Sequence, residues 1–306
     1  TRPSVGSATV SGRQVLRVVA GLALLVAVAC GGESGEGAGD DAARAGTSTP
    51  AAGEPGRTAT TTTGEANTTT PSTAPASPPP TRPDWLGTRV LSPGGPHPTP
   101  PELDPRRLPT VDVLPPPDGG FHATIEPVPP EVAARSTWQP DCPVALEDLR
   151  YVTVTFWGFD DRPHTGEMLV HRDAAEPLSG VFRRLYEMRF PIEDMRVTSV
   201  EELNAPDTGD GNATAAFVCR PTRGSSSWSE HAYGLAVDVN PFQNPYVHDG
   251  RVTPGLATSY TDRANVRPGM IVPGAGVVEA FAEIGWGWGG TWDDPKDYMH
   301  FSAAGR

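Results

Sequence analysis

The 306-residue chain is acidic, with 24 lysines and arginines against 37 aspartates and glutamates and a net charge of −13. This balance argues against nucleic acid as a partner and against a polybasic patch that binds membranes. The 34 glycines and 35 prolines exceed average usage and concentrate before about residue 120. We therefore expect one folded domain of roughly 180 residues, enough for a sizeable core. We also expect the protein to be a monomer.

Residues 1–30 have the pattern of an export signal. Arg13 and Arg17 flank the start of an apolar run over residues 18–29, which is shorter than the roughly 20 residues that span a membrane. The run ends in Ala-Val-Ala before Cys30 and resembles a bacterial lipoprotein cleavage box, in which the cysteine carries the lipid. We predict a lipoprotein-type signal peptide, with Cys30 as the lipid anchor on the outer face of the cytoplasmic membrane. An ordinary signal peptide and an uncleaved anchor are the alternatives.

Residues 31–118 predict a disordered linker. They are rich in glycine, then in threonine and serine, then in proline, and contain few large apolar side chains. Such a segment cannot bury enough surface to offset the entropy lost on ordering. We expect a semi-extended tether that holds a folded domain, residues 119–306, away from the membrane and inside the cell envelope.

The first half of the domain predicts a hairpin followed by a helix. Apolar residues alternate over 149–156, and a second strand is expected at 167–171, after a turn rich in aspartate and proline. A helix is predicted over 176–190, with Pro177 in its first turn and Met188 in its buried stripe.

The second half predicts two strands that carry polar side chains. In a strand over 235–239, alternation places Asp238 on the face opposite to the apolar residues. A short helix is expected over 277–284, before a glycine suited to its C-terminal cap. In a last strand over 299–302, His300 faces away from its two apolar neighbours. Each strand therefore presents a possible metal ligand on one face.

Two cysteines lie in the folded part of a chain that looks exported. We predict a disulfide between Cys142 and Cys219, because disulfides form in oxidising compartments. Two buried free thiols are the alternative. The spacing Cys-x-x-Cys is absent, which argues against zinc binding by cysteine.

Three side chains in the second half have the chemistry of a zinc site. His231 precedes Asp238 by seven residues, and His300 lies near the C-terminus. Imidazole nitrogen and carboxylate oxygen suit zinc, and a catalytic zinc takes three protein ligands and keeps an open position for water. We predict that these three residues bind one zinc ion.

Hydrolysis at such a site also benefits from a general base. Asp297 precedes His300 by three residues, so we favour it as a carboxylate beside the metal that does not bind it. Asp293, Asp294 and Glu230 are rival bases.

Two further polar residues suit substrate binding. Arg220 has a guanidinium group whose geometry matches a substrate carboxylate or an oxyanion. Ser229 lies two residues before the first predicted ligand and could hydrogen-bond the substrate or orient the loop.

The pattern Ser-x-His-x-x-Gly-x-Ala-x-Asp, followed by carboxylate-x-x-His near the C-terminus, resembles the zinc D-Ala-D-Ala carboxypeptidase family of bacterial cell-wall metallopeptidases. The resemblance covers roughly residues 145–303. The fixed positions of the first motif are all matched, at Ser229, His231, Gly234, Ala236 and Asp238.

This resemblance implies an α+β fold of the zinc D,D-peptidase (Hedgehog/DD-peptidase) type, a small antiparallel sheet with packed helices. It implies hydrolysis of a peptide bond in peptidoglycan stem peptides by a D,D-carboxypeptidase or an L-Ala–D-Glu-type endopeptidase. The catalytic carboxylate maps to Asp297, where many members have glutamate and where aspartate resembles the endopeptidase branch. The substrate-binding arginine maps to Arg220, with Arg223 as the second choice.

Another class of function stays open. A non-catalytic, zinc-containing lipoprotein that binds the cell wall would keep the same ligands as a scaffold. Asp297 argues against this alternative, because a scaffold does not need a base. A zinc amidase or a peptidase for peptides outside the wall is a third hypothesis.

Overall fold

The computed structural model describes residues 81–92 and 97–305. The predicted signal peptide, Cys30 and most of the predicted linker lie outside these residues. Among the described helices, none has both the length and the apolar character needed to cross a membrane.

The described part of the chain is a mixed α and β structure, as predicted. The strands are, in chain order, β1 (Ala123–Pro127), β2 (Leu149–Trp157), β3 (Pro163–His171), β4 (Asp194–Met195), β5 (Ala213–Thr214), β6 (Ala236–Asp238), β7 (Tyr246–His248), β8 (Arg251–Thr253), β9 (Gly287–Trp288), β10 (Lys296–Asp297) and β11 (His300–Ser302). The α-helices are α1 (Pro130–Arg135), α2 (Arg172–Glu187), α3 (Val200–Asn204) and α4 (Gly276–Glu283).

The strands form three small antiparallel sheets, where one such sheet was expected. Their strand orders are β1-β2-β3, β10-β7-β8 and β6-β11-β9, and β4 pairs with β5 in parallel. The predicted hairpin is confirmed, because β2 pairs with β3 along its whole length, from Leu149 opposite His171 to Trp157 opposite Pro163. The alternating apolar residues of β2 are buried against α2 in the main core.

Helix α2 begins earlier and ends earlier than predicted. The side chain of His171 accepts a hydrogen bond from the backbone N–H of Asp173 and caps the helix there, so Pro177 lies in the helix interior and not in its first turn. The helix ends before Met188, which is 43% exposed. The prediction that Met188 belongs to the buried stripe is wrong, because the chain has left the helix at that point.

The predicted linker boundary is too late. Residues 97–118 are part of the folded unit, and Leu103, Arg106 and Leu108 are buried. The guanidinium of Arg106 donates two hydrogen bonds of 2.6 Å to the carboxylate of Glu193. The segment is ordered by contacts with residues distant in sequence, which its composition does not indicate.

The predicted disulfide is present between Cys142 and Cys219. The backbone N–H of Cys219 also donates to the hydroxyl of Thr137. These two links hold the chain at the residue immediately before Arg220.

Candidate metal centre

A short 3₁₀ turn, Glu230–Tyr233, positions the first predicted ligand, His231. The hydroxyl of Ser229 accepts a hydrogen bond from the His231 N–H, at 3.4 Å, at the start of the turn. The turn ends at Gly234, whose φ of 69° is left-handed. A Cβ there would lie 2.5 Å from the backbone nitrogen of His171, so only glycine allows the turn to pack this closely on β3.

The other two predicted ligands are cross-strand partners. Strands β6 and β11 pair in a register that places His300 directly opposite Asp238. Residues opposite each other in an antiparallel pair point to the same face of the sheet. The sheet thus joins two ligands that are 62 residues apart in sequence.

The three ligand atoms form a nearly equilateral triangle. His231 Nε2 lies 3.2 Å from His300 Nδ1 and 3.2 Å from Asp238 Oδ1. His300 Nδ1 and Asp238 Oδ1 are 3.1 Å apart. Ligands about 2.0–2.1 Å from a tetrahedral zinc are separated by about 3.3 Å. The donor set and its spacing therefore fit a zinc ion with three protein ligands.

The surroundings of His231 prepare one of its nitrogens for a metal. Its ring is buried, and Nδ1 lies 2.5 Å from the carbonyl oxygen of Ala216. A carbonyl accepts only, so Nδ1 carries a proton, and Nε2, which faces the cluster, is the nitrogen available to a metal.

The charge of Asp238 also fits a metal ligand. Burial by itself would raise the pKa of this carboxyl, but the adjacent imidazoles of His231 and His300 lower it well below its ordinary value. The carboxylate therefore stays ionised, which metal binding requires.

Asp297 has a different environment from the ligand carboxylate. Its Oδ1 atom is buried and has no hydrogen-bond partner among the described residues. Burial and the negative charge of Asp238 raise its pKa to about 7. A carboxyl group with a pKa near neutrality, beside a metal site, is suited to accept and return a proton.

The rival bases have weaker positions. Asp293 and Asp294 are exposed and do not line the cavity at the cluster, and Asp294 contacts the ring of His248 at 3.1 Å. Glu230 does line the cavity. Asp297 alone of these four combines burial, an unpartnered oxygen and a raised pKa.

The cluster opens into a cavity of about 500 Å³. Arg220 forms part of its wall, and burial lowers the pKa of its guanidinium. Nη1 donates to the carbonyl of Pro221 at 3.2 Å, and no described carboxylate forms an ion pair with Arg220. A partly buried cation without an anionic partner is suited to bind an anionic ligand. Ser229 also lines the cavity.

Sequence reasoning missed much of the cavity wall. The residues not singled out for it are Thr222, Ser227, Trp228, Thr253, Pro295 and Met299. Trp292 also lines the cavity, whereas Trp286 and Trp288 are buried in the core. Tyr246 lines the cavity too. No periodic signal marks these residues, because they come from separate loops.

Comparison with protein families agrees with this site. Residues 223–303 match a family model described as D-alanyl-D-alanine carboxypeptidase, and this segment contains the three clustered ligands and Asp297. The resemblance to the zinc D-Ala-D-Ala carboxypeptidase family is confirmed over this segment. No curated protein and no solved structure matched the chain.

Proposed function

We propose that the protein is a zinc-dependent peptidase that hydrolyses a peptide bond in peptidoglycan stem peptides. The observation that carries this proposal is the triangle of His231 Nε2, His300 Nδ1 and Asp238 Oδ1, open to a cavity that also contains the unpartnered oxygen of Asp297. The family match to D-alanyl-D-alanine carboxypeptidases supports the choice of substrate. We assign the domain to the zinc D,D-peptidase (Hedgehog/DD-peptidase) fold type on the same grounds.

His231, Asp238 and His300 would hold the ion. Bound there, zinc would act as a Lewis acid on the scissile carbonyl and make water a better nucleophile at neutral pH. Asp297 accepts the proton of the attacking water and returns it to the leaving amine, because its buried Oδ1 has no hydrogen-bond partner among the described residues and the side chain lines the cavity. Arg220 binds a substrate carboxylate or the negative charge that develops on the carbonyl oxygen.

The position of the scissile bond is part of the proposal. An aspartate in place of the glutamate of many relatives favours an L-Ala–D-Glu-type endopeptidase over a D,D-carboxypeptidase. Both enzymes act outside the cytoplasm, which agrees with the export signal predicted for residues 1–30. We propose that the protein is lipid-anchored at Cys30 and acts in the cell envelope.

The direct test is hydrolysis of defined stem peptides by the purified full-length chain, with products read by mass spectrometry and bound zinc by elemental analysis. Loss of a terminal D-Ala would identify a carboxypeptidase, and cleavage after L-Ala or within a cross-link would identify an endopeptidase. The His231→Ala variant is expected to lose both zinc and turnover. His122→Ala, which changes an exposed histidine outside the cavity, is the matched control and should retain both.

One outcome would contradict the proposal. If one zinc ion stays bound and no peptide is cleaved, the protein is not a peptidase of the wall. Retention of isolated peptidoglycan by that inactive protein would favour the wall-binding scaffold.

A further inference from the structure

A short hairpin forms one wall of the cavity. Pro221 and Trp228 form an antiparallel bridge, and the backbone N–H of Thr222 donates to the carbonyl of Ser227 at 2.8 Å. Gly224, with a φ of 76°, allows the tight turn between them. The hairpin carries Arg223 on its exposed end, where the side chain lines the cavity.

Arg223 has no protein partner for its charge. Among residues 81–92 and 97–305, no carboxylate forms an ion pair with its guanidinium. Arg135, by contrast, pairs with Glu167, whereas the exposed Arg107, Arg162 and Arg251 form no ion pair among the described residues either. In a chain with a net charge of −13, a cation that remains unpaired at the mouth of a cavity is notable.

Arg220 and Arg223 are two such cations in one cavity. The charge of Arg223 acts on both Arg220 and Asp297, so the two guanidinium groups repel each other in the protein without ligand. Each of the two guanidinium groups can pair with a carboxylate of its own. A ligand with two carboxylates would pair both.

We propose that Arg223 binds a second carboxylate of the peptide substrate, separate from the group held by Arg220. The site would then select acidic peptides that carry two carboxylates near the scissile bond. This inference rests on the proposed peptidase function and names a substrate class for it. The planar guanidinium matches a carboxylate in a bidentate arrangement, which an amide does not reproduce.

The test compares stem peptides that differ by single carboxylates. In a panel, each carboxylate of one parent peptide is replaced in turn by a carboxamide, and kcat and KM are measured for the full-length enzyme. We expect one replacement to raise KM about tenfold, the loss typical of a charge-assisted hydrogen bond. With the Arg223→Gln variant, KM for the parent peptide should rise by the same factor. Replacing that carboxylate by a carboxamide should then raise KM no further.

The control variant is Arg162→Gln. Arg162 is exposed in the turn between β2 and β3 and does not line the cavity, so the same change in net charge is made elsewhere. It should keep the preference for the carboxylate. Equal losses for parent and carboxamide peptides in Arg223→Gln would overturn the proposal.

Binding measurements separate this inference from the peptidase function. Calorimetry gives the Kd of the parent peptide and of each carboxamide for the wild type and Arg223→Gln without any need for turnover. A preference lost in Arg223→Gln, with no hydrolysis by the wild type, would retain the Arg223 site and reject the peptidase. Hydrolysis by the wild type, together with a carboxylate preference that persists in Arg223→Gln, would support the peptidase and reject the Arg223 site.

Discussion

Two buried polar clusters of this domain differ in how completely the protein satisfies them. In the first, Glu193 receives two hydrogen bonds of 2.6 Å from Arg106, one of 2.7 Å from Asn212 and a longer one of 3.4 Å from Arg82. Arg106 donates its remaining bond to the carbonyl of Asp210, at 2.8 Å. Both charges are almost fully buried and fully paired.

The second cluster, at the candidate metal centre, is left incomplete. Asp297 Oδ1 has no partner among the described residues, and Arg220 has only a backbone carbonyl. The metal-ligand triangle brings three electron-pair donors within 3.2 Å of one another. Satisfied buried charges hold a structure together, whereas unsatisfied ones beside a cavity mark the place where a ligand completes the bonding. The comparison predicts opposite responses to mutation.

The largest effect is expected for Asp297→Asn. The amide cannot accept the proton, so kcat should fall by roughly 10²–10⁴-fold. Bound zinc should stay at one ion, and the stability should not decrease, because the wild-type oxygen has no bond to lose. Kinetics with elemental analysis and urea unfolding measure these quantities. An unchanged kcat would show that another group is the base.

Arg106→Met should act on stability and not on the site. Without Arg106, the buried Glu193 keeps only the hydrogen bond from Asn212 and a longer contact, of 3.4 Å, with Arg82. Breaking a buried ion pair typically costs about 3–5 kcal/mol. Urea unfolding should show this loss, while the folded variant still binds zinc. The double variant Arg106→Met/Glu193→Leu should recover most of the stability, because it removes both charges. A loss below about 1 kcal/mol in the single variant would mean that the pair adds little.

A smaller effect concerns the pH dependence of stability in the metal-free protein. The pKa of Asp297 is about 7 in the folded state against an ordinary value of 3.8, so the folded state binds more protons between these values. Protonation of Asp297 therefore stabilises the folded state. This stabilisation is fully present below pH 3.8 and is lost as pH rises through about 7.

Urea unfolding in the presence of a chelator, from about pH 4 to pH 8, tests this linkage. Asp297→Asn cannot titrate and should lack the decline that the wild type shows over this window. Parallel curves for the two proteins would place the titrating group elsewhere.

The sequence by itself determined the elements whose signals are local. Alternation along β2 and the spacing of apolar residues in α2 depend only on neighbouring positions, and both elements formed where that pattern is strong. The predicted ligands come together because alternation sets the face on which Asp238 and His300 lie. Their meeting also required that β6 and β11 be adjacent and pair in the register that places His300 opposite Asp238.

The tertiary structure decided the features that depend on distant partners. Arg106 lies in a proline-rich segment, and nothing near it in sequence indicates that Glu193, 87 residues later, neutralises its charge. The unpaired states of Arg223 and of Asp297 Oδ1 are likewise properties of a completed fold. Whether a polar group is satisfied depends on all of its spatial neighbours, and those are fixed only once the chain has packed.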